Sequence, residues 1–153
     1  MVRSAHYGDL PELLRLEDLF PGDRLSRRSF LHLLQHGHAD LLVSEGTDEL
    51  VGDAVVLYRR ESTTARLYSI VVTPLARRYG VGRALLEASE AAARAHGRTG
   101  MVLEVREGNS AALALYYRAG YRSIKHLPAY YQDGAAALRL RKSLNSTADQ
   151  KNL

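Results

Sequence analysis

Glu104 is the single acid in the apolar run Met-Val-Leu-Glu-Val at 101–105. A carboxyl in a buried strand loses solvation, which disfavours its charged form and raises its proton affinity toward the range of a general base near neutral pH. Two plainer roles also fit it: a carboxylate on the exposed face of the strand, or an ion-pair partner for Arg106. Asn109 stands where a helix cap belongs, ahead of Ser-Ala-Ala-Leu-Ala-Leu-Tyr-Tyr-Arg. Tyr116 follows seven residues later, about two turns along and so on the same helix face. A core aromatic is its ordinary reading, and Tyr117 next to it is the natural control. Upstream, Arg77-Arg78-Tyr79-Gly80-Val81-Gly82 closes an apolar stretch and opens a helical pattern. A glycine-rich turn of this kind leaves backbone N–H groups free at a helix N-terminus, where they and the helix dipole suit a phosphate.

Which phosphate ligand depends on the spacing. A P-loop needs a lysine and a Ser or Thr after its last glycine, and neither follows Gly82. A dinucleotide fingerprint needs a third Gly or Ala where Leu85 stands. Glu104 falls near the distance of the ribose-binding acid, but it lies inside a strand and not at its end. A hairpin and two helices also come before the turn. The remaining pattern, Arg/Gln-x-x-Gly-x-Gly/Ala, is matched at every position from Arg77 to Gly82.

The elements that must position these residues follow from hydrophobic period. Residues 2–5 read as a short strand. Asp9 and Glu12 form a capping box before a helix with Leu10, Leu13 and Leu14 on one face. Ser26 caps a second helix that turns Phe30, Leu33 and Leu34 inward. Residues 40–45 and 50–60 read as a hairpin, and 65–73 as a third long strand that Pro74 ends. A helix over 81–96 stops at Gly97. A strand at 101–105, a helix from Asn109 to Gly120 and two closing strands complete the chain. The expected architecture is one α+β domain, residues 1–144, in the order β-α-α-β-β-β-α-β-α-β-β with a mixed sheet, followed by a flexible tail at 145–153.

Composition narrows the function further. The chain has 153 residues, no cysteine, a net charge of +4, and 18 arginines among its 21 basic residues. Disulfides, thiolate metal sites and a cysteine nucleophile are excluded. The six histidines show no ligand spacing, so no metal is expected. A basic balance favours an anionic partner, with surface solubility as the ordinary alternative. The N-terminus turns polar within a few residues and no long apolar segment occurs, so a cytoplasmic protein without membrane association is expected.

With these motifs in view, the chain resembles the GNAT superfamily of N-acetyltransferases over roughly residues 2–144. "VVTPLARRYGVGRALLEASEAAARAHG" is similar to its cofactor motif, and "LEVREGNSAALALYYRAGYR" to the adjoining strand and helix. "LEVR…N…A..LY…GY" followed by "YYQDGAAALRLRK" resembles the RimI-type and archaeal-type protein N-terminal acetyltransferases, as does the early "RLEDLFPGDRLSRRSF". The resemblance implies acetyl-CoA as donor. It implies that the backbone at Ile70, Val71 and Val72 pairs with the pantetheine arm. It places the pyrophosphate on Arg77, Arg78, Tyr79, Gly80, Val81, Gly82 and Arg83, and a cofactor contact on Asn109. It makes Glu104 a base acting through water and Tyr116 the acid that protonates the CoA thiolate, a transfer for which a phenol (pKa about 10) and a thiol (about 8.5) are matched. It assigns Phe20, Pro21, Tyr130 and Tyr131 to the acceptor side.

The acceptor implied is a protein or peptide N-terminus, and chemistry supports that choice. An α-amine, with pKa about 7.7–8.0, is roughly one-third neutral near pH 7.5, whereas lysine, at about 10.4, is almost wholly charged. A small-molecule amine or a lysine is the alternative acceptor, and a non-catalytic CoA- or RNA-binding module the alternative class. No direct nucleic-acid binding is expected, since no stripe of basic and aromatic residues resembles an RNA-binding motif. The expected assembly is a monomer or homodimer.

Overall fold

The computed structural model describes residues 1–20, 25–35, 37–77 and 79–145. Pro21, Arg78 and the tail at 146–153 lie outside the described residues. Strand β1 (Val2–Ser4) leads through a 3-10 turn (Tyr7–Asp9) into helix α1 (Leu10–Asp18) and then α2 (Arg27–Gln35). Strands β2 (Ala39–Glu45), β3 (Leu50–Leu57) and β4 (Thr64–Val72) precede a second 3-10 turn (Pro74–Ala76) and α3 (Val81–Ala95). Then come β5 (Gly100–Arg106), α4 (Ser110–Arg118), β6 (Arg122–Leu127) and β7 (Ala137–Ser143). The order matches the one the hydrophobic periods predict.

The seven strands form one sheet in the order β1-β2-β3-β4-β5-β7-β6. All neighbours are antiparallel except β4 and β5. Each face carries its own core. On one, Leu10, Leu13, Leu16 and Phe30 of α1 and α2 pack on Leu41, Val43, Val55 and Val71. On the other, Leu85, Leu86 and Ala93 of α3 and Tyr116 and Ala119 of the α4 region pack on Ala54, Val56, Met101, Leu103 and Leu140. The sheet is therefore hydrophobic on both sides of its central strands, which is why they read as nearly continuous apolar runs. Gly52 of β3 lets α3 approach closely: a Cβ there would lie 2.7 Å from the Val71 carbonyl and 3.0 Å from Leu85 Cδ1.

The first helix is capped differently from its predicted box. Asp9 makes no cap bond to α1. Its carboxylate accepts two N–H groups of Arg3, both at 2.8 Å, and the His6 N–H at 2.9 Å. The Arg3 hydrogen bond holds the Asp9 carboxyl below its ordinary range. Glu12 accepts from Arg15 at 2.8 Å and from the Leu50 N–H at 3.1 Å, tying α1 to the start of β3. Arg3 and His6 take Asp9, and Arg15 with the distant Leu50 takes Glu12, so the two acids that local spacing paired do not cap the helix together. Ser26 does cap α2, accepting the Ser29 N–H at 3.1 Å.

The irregularity that matters for function is in β4. Val55 pairs with Ser69 but Val56 pairs with Leu67, so Tyr68 is an extra residue in a β-bulge. A bulge bends its strand and increases its twist. Beyond it, β4 leaves its parallel neighbour: the two strands pair only over Thr64–Arg66 and Gly100–Val102. Their C-terminal halves diverge, opening a gap in the middle of the sheet.

Candidate active site

The gap lies where parallel strands deliver ligand sites, at their carboxyl ends. One wall is β4 with Ile70, Val71 and Val72, the other is the end of β5 with Glu104. Val71 is buried, and Ile70 and Val72 are half-buried. The strand edges that face each other across the gap have no ladder partner there. Unpaired backbone of this kind is what an extended, amide-bearing ligand arm needs. The Ser69 hydroxyl, at the bulge, is buried without a hydrogen-bond partner.

At the end of β4 the chain turns into α3. Gly80 caps the helix in the left-handed region, φ 76°, a conformation that favours glycine. The N–H groups of Val81, Gly82 and Arg83, in the first turn, have no acceptor within the helix. Gly82 sits where α3, β4 and α4 converge: a Cβ there would lie 3.5 Å from Leu115 Cδ2 and 3.8 Å from Val72 Cγ2. Tyr79 is exposed. Arg83 pairs with Glu87 at 3.0 Å. The Arg77 guanidinium lies over the Phe20 ring, 5.5 Å from its centroid, which joins the phosphate-type turn to the end of α1. These features fit the group the resemblance implies, a pantetheine arm along β4 and a pyrophosphate at α3.

Glu104 is not the isolated acid that its strand suggests. Side chains alternate along β5, so Met101, Leu103 and Val105 enter one core while Glu104 points to the opposite face. There its Oε1 accepts from Arg66 of β4, and its Oε2 accepts from Arg139 Nε at 2.7 Å. Arg139 is its directly paired residue on β7. Arg106, the partner considered from the sequence, instead bonds Asp133 at 2.8 Å and lies 4.2 Å over the Tyr131 ring. Arg66 and Arg139 escaped the sequence reading because strand register is non-local. Period-2 spacing says that each shares a strand face with its own neighbours, but not which acid it will meet.

Tyr116 belongs to the other face. Three tyrosines are buried: Tyr58, Tyr116 and Tyr121. Tyr58 donates to Asp40 at 2.6 Å and Tyr121 to Glu90 at 2.8 Å. Tyr116 is 8% exposed, and its hydroxyl makes no hydrogen bond to the described residues. Burial, and then the nearby Tyr131, pushes its phenol up to about 12, so it remains a proton donor at neutral pH. Tyr117 is 47% exposed. Asn109 caps α4, its Oδ1 accepting the Ala112 N–H at 3.1 Å. Tyr130 and Tyr131, in the loop between β6 and β7, meet edge to face with centroids 5.0 Å apart. Arg106 ties that loop to the end of β5.

Comparison with known proteins gives the family and the fold. Residues 9–121 match the acetyltransferase (GNAT) family. The chain is 30% identical over 149 residues to an N-alpha-acetyltransferase of Sulfurisphaera tokodaii, covering 89% of this chain and 88% of that protein. The ribosomal-protein-S18-alanine N-acetyltransferase of Escherichia coli superposes with a TM-score of 0.84 at 26% identity, over 95% of this chain and 94% of that one. Ard1 from Thermoplasma volcanium gives 0.85 at 24% identity, over 95% and 98%, a likeness of fold. The chain belongs to the GNAT family and is an acyltransferase. Enzymes of this family take their acyl group from acetyl-CoA. No described helix is long and apolar enough to cross a membrane.

Proposed function

We propose that this enzyme moves an acetyl group from acetyl-CoA to the N-terminal α-amine of a protein or peptide, by direct attack with both substrates bound. The observation that carries the reading is the pairing of Glu104 and Tyr116. An anchored carboxylate serves one face of the β4–β5 gap, and a buried phenol with an unspent hydroxyl serves the other. The Tyr116 ring is buried while its hydroxyl makes no hydrogen bond to the described residues, which leaves that hydroxyl available to a reacting group.

Acetyl-CoA supplies the acyl group as a thioester. The β4 backbone at Ile70–Val72 would orient it, and the N–H groups of Val81, Gly82 and Arg83 would hold its pyrophosphate, with Arg77 and Arg78 as basic neighbours. Asn109 would contact its arm. Glu104 would accept the amine's proton through a water, since each oxygen keeps a lone pair beyond its guanidinium bond. Tyr116 would deliver a proton from Oη to the leaving sulfur. Phe20, with Tyr130 and Tyr131, would flank the acceptor. Two guanidiniums hold the carboxylate in place. An α-amine, a third of which is already neutral near pH 7.5 by its pKa of about 7.7–8.0, asks less of a base than a lysine.

The test is acetyl transfer from acetyl-CoA to peptides with free or blocked N-termini, each containing lysine, read by mass spectrometry. Label confined to free N-termini is expected. Label on blocked peptides would assign the acceptor to lysine. Transfer only to free amines added alongside would assign it to small molecules.

A further inference from the structure

Helices α1 and α2 pack on β2, β3 and β4. The same sheet face continues over β5, β7 and β6, where it meets solvent. Its side chains there are basic. Arg66 and Arg139 flank Glu104. Arg141 is the next outward residue of β7, and its guanidinium lies against Gly100 at the start of β5. On β6, Arg122 pairs directly with Arg141, and Lys125 directly with Arg139. Directly opposed residues share a face, and like charges opposed in this way destabilise a sheet. Here two such pairs stand side by side. Arg122, Lys125 and Arg141 are exposed and have no acidic partner among the described residues. The only acid these strands turn to that face is Glu104, which Arg66 and Arg139 already occupy.

We propose that this face binds acidic residues that follow the reacting amine of the acceptor, so that the enzyme selects polypeptides with an acidic segment just after the N-terminus. The inference rests on the N-terminal acceptor reading above. Two observations favour an acidic polypeptide over a nucleic acid. The basic patch begins beside Glu104 itself, so a chain whose amine reaches Glu104 has it within a few residues. The outward positions of these strands also carry no aromatic ring, and base stacking is what single-stranded nucleic acid asks of a sheet. Strand spacing sets the reach: β6 lies two strands from β5, about 10 Å. An extended chain covers that in about three residues, so acids at the second to fifth positions of the acceptor meet Arg139, Arg141, Lys125 and Arg122 in turn.

The experiment compares peptides that share a first residue and carry either glutamates or glutamines at positions two to five. With the native enzyme, kcat/KM for the acidic peptide should be roughly tenfold higher, mostly through KM, with the advantage shrinking as salt is raised. R122E combined with K125E should abolish or invert the preference. R118E, on α4 and the opposite side of the sheet, should keep it. Acetylation of both peptides at equal kcat/KM would overturn this inference and leave the acceptor reading intact. No transfer to either peptide would overturn both. Binding of an RNA oligonucleotide in competition with a blocked acidic peptide, lost in the same double variant and without any acidic preference in turnover, would reassign the face to nucleic acid.

Discussion

Of the three buried tyrosines, Tyr116 alone keeps its hydroxyl free of the described residues. Tyr58 and Tyr121 each donate to a carboxylate, while Tyr116, raised to about 12 by burial, does not. If Tyr116 protonates the leaving sulfur, Y116F should lower kcat by about 10²-fold with KM for acetyl-CoA little changed, and Y117F should stay near the wild type. The reverse order in steady-state kinetics would move the role to Tyr117. Glu104 was legible as a candidate because one acid in an apolar strand is conspicuous. Its surroundings were not. The isolated acid of the sequence is a carboxylate between Arg66 and Arg139, because β4 and β7 bring their arginines from 38 and 35 residues away.

At the scale of elements, the β4 bulge and the α3 turn work together. Tyr68 is the extra residue that bends β4 from β5, and Gly80 in the left-handed region starts α3 at the mouth of the gap. The turn was readable, since Gly-x-Gly before a helical period has few structural meanings. The bulge was not, because residues 65–73 look like an uninterrupted strand. Gly82 separates fold from ligand here. A Cβ at Gly82 meets only ordinary contacts at 3.5 and 3.8 Å, so G82A should fold normally. G82W should fill the space between Val72 and Leu115 and abolish the thermal shift produced by acetyl-CoA. An undiminished shift in G82W would place the cofactor elsewhere.

For the whole molecule, one buried group sets a dependence of stability on pH. Asp53 of β3 is 0% exposed, and neither carboxyl oxygen has a hydrogen-bond partner. Burial, and then the nearby charge of Glu17, pushes it up to about 8 from 3.8. The folded state therefore holds a proton that the unfolded chain releases above its ordinary value. Asp53 contributes stability fully present below about pH 4, and loses it as pH rises through 8. D53N cannot ionise, so thermal melting should find its Tm gaining on the wild type from pH 4 to 8 and then holding a constant lead. A difference independent of pH would show Asp53 charged in the fold. The sequence by itself determined the order of elements, the glycine turn, the caps at Ser26 and Asn109, and the family resemblance, because each is written in local spacing. The tertiary structure decided the Leu50 partner of Glu12, the arginines of Glu104, the gap between β4 and β5 and the uncovered basic face. Those depend on strand register and on which helices cover which face, and both follow from packing between residues far apart in the chain.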